Sequence, residues 1–207
     1  MKKAIGMNNL LKRKFETYEF EGDWLATFGK PEKNFSMSIT GDSGHGKTDF
    51  CMKFAKYMAQ FTRTLYCTYE EGIGSTIQEA AIRNNMQEVS GRVTAIAQES
   101  FEDLVFRLKK RASPRVVIID SVDYSGLSVA QYKELRNTFP RKSFVVVSWA
   151  KGDKPKLQAA RDMEFMSDVK ILVHNYRAKP RSRFGGNKEF VIWDKPVAKQ
   201  AQQTLGL

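Results

Sequence analysis

From residue 35 onward the chain alternates between two hydrophobic patterns. Short apolar runs, FSMSIT (35–40), TLYCTY (64–69), RVTAIA (92–97), VVIID (116–120) and FVVVSW (144–149), have the length and β-branched content of strands. Between them, apolar residues recur at helical spacing: Phe50, Cys51, Phe54, Tyr57 and Met58 in one segment, Phe101, Leu104, Val105 and Leu108 in another. Further helices are expected over about 75–85 and 129–139. VVIID and FVVVSW have no polar face, so each must be covered on both sides, as central strands of a parallel sheet are. Pro114 breaks the chain just before VVIID. The alternation predicts an α/β fold, a mostly parallel central sheet flanked by helices and joined by right-handed crossovers.

Both ends depart from this rhythm. Residues 1–33 mix charges of both signs with Phe15, Tyr18, Phe20, Trp24 and Phe28 at no clean period, which predicts an irregular, partly packed lead-in to a single core over 34–207. Near the other end, DVKILVHN and EFVIWD read as two strands separated by YRAKPRSRFGGNK. Gly185 and Gly186 permit a turn there, so a terminal antiparallel hairpin is expected.

Composition narrows the class. The chain of 207 residues, 42% hydrophobic, can bury a sizeable single core. No run approaches the roughly 18 apolar residues of a membrane-spanning helix, and the N-terminus carries no secretory apolar stretch, so a cytoplasmic protein away from membranes is expected. Cys51 and Cys67 fall on a helix face and in a strand, without metal or redox spacing, and read as structural thiols. The net charge is +11, and residues 141–188 carry twelve Lys or Arg against four Asp or Glu. Such a surplus suits a polyanionic partner; a solvated basic surface is the competing reading.

The sharpest chemical signal is Gly41-Asp42-Ser43-Gly44-His45-Gly46-Lys47-Thr48, which matches GxxxxGK followed by Thr and lies between a strand and a helix. Its glycines let backbone N–H groups curl around a phosphate, Lys47 can reach the β and γ phosphates, and the Thr48 hydroxyl can ligate Mg²⁺. Nucleotide binding follows. His45 occupies a free position with nothing in the sequence to orient its ring. Asp120 closes VVIID and would deliver a carboxylate to the sheet edge beside that loop, where it can hold Mg²⁺ through water. Asp123 lies past the strand end and reads as a cap. Glu70 and Glu71 follow TLYCTY directly; one of them is the candidate base for an attacking water, and Glu70 is favoured. Ser148 could sense a γ phosphate or simply bond to backbone.

Taken together, GDSGHGKT, TLYCTYEEG, VVIIDS, SWAK and RSRFGGNKEFVIW resemble the RecA-like ATPase core, and more closely its RadA and DnaB branch, over about residues 35–194. Arg181, Arg183, Phe184 and Gly185 fall on the positions of the RadA motif KNRFG, with Arg181 in place of the usual Lys. The resemblance implies ATP and Mg²⁺ as cofactors and a homo-oligomer, ring or filament, in which Arg183, with Arg181 beside it, reaches the nucleotide of a neighbour. A charged hairpin tip far in sequence from the phosphate loop suits that role. The resemblance also assigns residues 124–128 and 151–161 to loops that hold single-stranded DNA. The second carries Lys151, Lys154, Lys156 and Arg161, and Gly152 and Pro155 make it an irregular, mobile segment. Trp149 at its base reads as core or as a stacking platform.

The chain lacks the zinc-binding and protease-like domains of RadA and the helical N-terminal domain of DnaB. A minimal core of this kind suits a phage or mobile element, acting on single-stranded DNA in recombination, repair or replication beside other proteins of those pathways. The alternatives are an ATP-gated assembly or helicase-loading factor with negligible turnover, and a signalling ATPase acting on a protein partner.

Overall fold

The apolar runs become strands, of which the one from RVTAIA lies at the sheet edge and stays partly open to solvent. A computed structural model describes residues 4–194, in which the elements follow in the order α1 (Met7–Leu11), α2 (Gly22–Phe28), β1 (Ser36–Gly41), α3 (Lys47–Met58), β2 (Thr64–Thr68), α4 (Ser75–Arg83), β3 (Val93–Ala97), α5 (Phe101–Lys109) and β4 (Val116–Asp120). They continue as α6 (Val122–Ser125), α7 (Val129–Thr138), β5 (Ser143–Lys151), β6 (Lys154–Pro155), α8 (Gln158–Phe165), β7 (Val169–His174), β8 (Arg177–Ser182) and β9 (Phe190–Val191). Every residue of β1, β2 and β4 is buried.

The strands form one sheet in the order β3-β2-β4-β5-β1-β7-β8-β9, with β6 folded back on β5. Pairing is parallel from β3 across to β7 and antiparallel from β7 to β8 and β9. Successive residues alternate between two cores. Val116, Ile118, Val145 and Val147 pack on the face of α3, while Val117, Ile119, Phe144 and Val146 pack with Leu104, Leu135 and Met163 of α5, α7 and α8. Two-sided burial therefore explains why VVIID and FVVVSW carry no polar face.

Three expectations about the ends need correction. Residues 4–33 are more ordered than the sequence suggested: α2 is regular, Thr17 bridges Glu32, and Tyr18, Phe20 and Phe28 are buried in the α3-side core. The signal is present in the sequence: Phe20, Trp24 and Phe28 are spaced four apart, and Trp24 stacks on Phe28 one turn along α2 and on Tyr57 of α3. The antiparallel C-terminal strands are present as expected, but RAKPRS, read as part of their connection, is itself strand β8, so they form a three-strand meander whose turn after β7 is Asn175-Tyr176, both in the left-handed region (φ 48° and 58°).

Gly185 and Gly186 serve a different purpose from the expected hairpin turn. The last carbonyls of α2 lack intrahelical partners, and the 182–188 segment satisfies them. The Ser182 hydroxyl donates to Phe28 O at 2.7 Å, Asn187 N–H to Thr27 O at 3.0 Å and Lys188 N–H to Ala26 O at 2.9 Å. A Cβ on Gly186 would lie 2.7 Å from Gly29 N, and φ there is +79°. Glycine is needed for this close backbone approach. The C-terminal residues 195–207, included in the expected core, lie outside the described residues.

Among the described residues no helix is long and apolar enough to cross a membrane. Because Phe28 is fully buried beneath these contacts, Phe28→Ala is expected to cost about 3–5 kcal/mol in denaturant unfolding. A loss under about 1 kcal/mol would restore the reading of residues 1–33 as a loosely attached lead-in.

Candidate functional site

Sheet register gathers the candidate residues on one edge. Thr40 of β1 lies beside Ser148 of β5, Thr68 of β2 beside Asp120 of β4, and all four strands run the same way, so their carboxyl ends open into one cavity of about 270 Å³. Its lining includes Ser43, Gly44, Gly46, Lys47, Thr48, Glu70, Glu71 and Asp120, and its far wall is α4, with Thr76, Ile77, Ala80 and Arg83.

The glycine loop closes around the start of α3. Gly44 and Gly46 adopt φ of +75° and +99°, conformations costly for other residues. Gly46 caps α3 without any side-chain hydrogen bond, so the first-turn N–H groups face the cavity with the positive end of the helix behind them. Lys47 Nζ donates to the carbonyls of Gly41 and Asp42 at 2.8 and 2.9 Å. Burial lowers the Lys47 pKa, and the nearby Asp120 and Glu70 carboxylates oppose that shift.

Asp120 is a buried acid at the end of β4. Burial pushes its pKa up to about 6, against the hydrogen bond from Tyr66 and the charge of Lys47. The Tyr66 phenol, itself raised well above its ordinary pKa by burial, stays protonated and donates to Asp120 Oδ2. Cys51 and Cys67 are fully buried, and burial raises both thiols, Cys67 to about 12, in keeping with structural roles.

Glu70 and Glu71 both line the cavity, and Glu70 is held in place: its Oε2 accepts from Trp149 Nε1 at 2.9 Å. Trp149 is thus neither buried core nor a free platform. Its backbone N–H donates to Asp123 Oδ2 at 2.9 Å, so Asp123, inside α6 instead of at a cap, ties that helix to β5. The Ser148 hydroxyl shares a 3.1 Å hydrogen bond with Thr40 Oγ1 of the neighbouring strand, a side-chain partner instead of the backbone one expected.

His45 is the clearest miss. The β7–β8 turn reaches over the glycine loop, where Asn175 N–H donates to His45 Nδ1 at 3.0 Å and Tyr176 N–H to His45 O at 3.1 Å. The His174 ring lies 4.8 Å from the His45 ring, and a Cβ on Gly46 would come within 2.8 Å of the Tyr176 ring. No local sequence signal joins positions 45 and 175; only parallel pairing of β1 with β7 does so.

The remaining candidates lie elsewhere. Arg181 pairs with Lys170, level with Ser38 of β1, and Arg183 N–H bonds to Asp168 O near the amino end of the sheet. Arg183 is thus near the edge opposite the glycine loop, five residues of β1 and roughly 16 Å away, whereas Arg181 is level with the middle of β1, three residues or roughly 10 Å from Gly41. Arg181 lies within β8 and Arg183 in the turn that follows it, and Arg183 Nη1 is 3.4 Å from Asp168 Oδ1. Residues 151–161 are regular instead of irregular: Lys151 pairs with Lys154 in the β5–β6 hairpin, and Arg161 belongs to α8, its Nε donating to Pro155 O at 2.7 Å. Gly152, φ +65°, makes the tight turn that the sequence reading took as a source of irregularity. Lys151, Lys154, Lys156 and Arg161 are exposed, and Lys156 Nζ lies 5.9 Å above the Trp149 ring. Residues 124–128 likewise include the end of α6 and the Ser128 capping box of α7.

No protein-family model matches the chain, and no curated protein does. Solved structures do. A KaiC-like protein, PH0186, from Pyrococcus horikoshii OT3 superposes with a TM-score of 0.52 at 18% identity over 70% of this chain and 73% of that one. The fold is RecA-like. A unique ATP synthase subunit, NeqB, from Nanoarcheaum equitans superposes with a TM-score of 0.54 at 12% identity over 78% of this chain and 51% of that one. The RecA-like frame fits the observed strand order and the glycine loop at the end of β1.

The clamp on His45 makes a prediction. His45→Ala removes the acceptor for Asn175 N–H, a neutral hydrogen bond worth about 0.5–1.5 kcal/mol. Affinity for a fluorescent adenine nucleotide is expected to fall about 2–10-fold, with His45→Asn retaining more of it. Unchanged affinity in both variants would mean that the turn does not hold the loop.

Proposed function

We propose that the protein binds ATP with Mg²⁺ and hydrolyses it. The observation that carries this reading is the meeting of the uncapped α3 terminus, Lys47, Asp120 and the Trp149-held Glu70 around one cavity. The donor set fits a nucleotide with its cation. Among the described residues no group of three or more His, Cys, Asp or Glu could hold a metal alone, and Mg²⁺ characteristically takes one or two protein oxygens plus substrate phosphates. Thr48 and Asp120 would hold it, and when bound it supplies neutralisation of phosphate charge.

In this reading the N–H groups of residues 41–48 cradle the phosphates, and Lys47 exchanges its carbonyl partners for phosphate oxygens. The nucleoside extends toward α4. Glu70, oriented by Trp149, accepts a proton from the attacking water. The RadA and DnaB branch remains the preferred affiliation, on RSRFGG and its neighbours. Since Arg183 lies near the edge remote from its own glycine loop, it serves a nucleotide only in a neighbouring copy, with Arg181 beside it, which makes the active form a homo-oligomer. Single-stranded DNA is the proposed polyanion, met by Lys151, Lys154, Lys156 and Arg161, in recombination, repair or replication.

Turnover measured with and without single-stranded DNA tests this function. Stimulation is expected; absence of ATP turnover under both conditions would contradict the enzyme, and turnover without stimulation at any salt would contradict the DNA partner. Lys47→Ala should abolish nucleotide binding. Glu70→Gln should keep binding while lowering kcat at least about 100-fold, in the range of general-base loss. Arg183→Ala should also keep binding and lose turnover, and mixing it with Glu70→Gln subunits should restore part of the activity if the two residues act across a boundary.

A further inference from the structure

The two faces of the sheet are not covered equally. On the α3 side, cover extends to β8, where Ala178 is fully buried in the core and the α2 carbonyls are bonded by residues 182–188. On the other side, α5, α7 and α8 cover β2, β4 and β5, and α8 reaches β1. The β7–β8 ladder beyond is bare on that face. There the register sets Lys170 beside Arg181, Leu172 beside Lys179 and His174 beside Arg177.

This ledge forms the floor of a groove of about 670 Å³, with Glu164 of α8 and Asp153 and Lys154 of the β5–β6 hairpin among its lining. Among the described residues no ion pair engages Lys154, Lys170, Lys179 or Arg181. Four cations thus line one groove without an acidic partner, although their chain holds acids nearby. Apolar surface lies among them: Leu172 is half-buried, and Phe165, at the end of α8, is 79% exposed with Lys170 Nζ 5.5 Å over its ring.

We propose that this groove on the bare face of β7–β8 binds single-stranded nucleic acid. Lys170 and Lys179, diagonal neighbours across the β7–β8 pair, stand about 7–8 Å apart, and Arg181 is left to the neighbouring copy's nucleotide. The cations can therefore follow a phosphate backbone. Leu172 and Phe165 supply what a duplex could not use, because only a single strand offers open base faces for stacking. Lys154 makes the groove continuous with the hairpin cations already proposed to meet DNA, so the inference rests on that reading and lengthens the track along the sheet.

The test is fluorescence anisotropy of a labelled oligothymidylate across a salt series. Lys170→Gln/Lys179→Gln should lower the slope of log affinity against log salt by about 1.4, two phosphates at about 0.7 each for a single strand. Phe165→Ala should weaken binding about tenfold with no change in slope. Adenine-nucleotide affinity should stay at the wild-type value in all three substitutions. A wild-type chain that binds no oligonucleotide overturns both this inference and the DNA partner. If Lys151→Gln/Lys156→Gln lowers the slope while Lys170→Gln/Lys179→Gln leaves it unchanged, the DNA partner stands and the groove is overturned. An equal drop from Lys109→Gln/Lys110→Gln, at the end of α5 beside the opposite lateral end of the sheet, would reduce the groove to part of a diffuse positive field and overturn it. So would a change in oligomeric state with oligonucleotide binding intact.

Discussion

The site depends on two opposite charges held at the buried carboxyl edge of a parallel sheet. Burial disfavours the ammonium of Lys47 and the carboxylate of Asp120 alike, and each partly offsets the other's penalty. Neither can move away. Asp120 ends a strand buried on both faces and Lys47 opens a helix whose side packs on the same core. The geometry is thus set by hydrophobic cover, while the electrostatics are only partly satisfied within the protein. A ligand that brings anionic oxygens to Lys47 and a cation to Asp120 resolves both at once.

The same logic extends outward through the strand ends. Trp149 closes β5 and orients Glu70 after β2, so two strands separated by β4 act together at the cavity. The β7–β8 turn fixes His45, and β8 then carries its cations away from the cavity to the opposite edge. One meander therefore links the glycine loop, the bare basic ledge and the Arg181 and Arg183 end of the chain's sheet. A change at any of these has a covalent and hydrogen-bonded route to the others.

The sequence made the core legible because two-sided burial writes itself as uninterrupted β-branched runs, and because the glycine loop requires particular residues at fixed spacing. Nothing local separates Glu70 from Glu71, since the indole that bonds Glu70 lies 79 residues away. His45 and Asn175 are likewise joined only by the sheet. The lead-in escaped recognition because its helical signal is short, Phe20, Trp24 and Phe28 at intervals of four, and is flanked by charges and by Phe15 and Tyr18 that do not share the interval. Residues 151–161 were misread through Gly152 and Pro155: glycine can end order, yet here it makes a hairpin, and Pro155 sits in a two-residue strand whose partner is β5. Comparison with known proteins supports the RecA-like fold at 12–18% identity; the assignment of substrate and partner rests on this chain's own residues.

Thermal unfolding with ATP, in Mg²⁺ and then in chelator, tests the coupled burial of Lys47 and Asp120 most directly. At about 100 times Kd a ligand contributes about 2.7 kcal/mol, or several degrees for a chain of this size. The account predicts a larger rise in Tm with Mg²⁺ than without it, and an Asp120→Asn protein in which the Mg²⁺-dependent part alone disappears. No rise with ATP, or an equal Mg²⁺-dependent rise in Asp120→Asn, would contradict it.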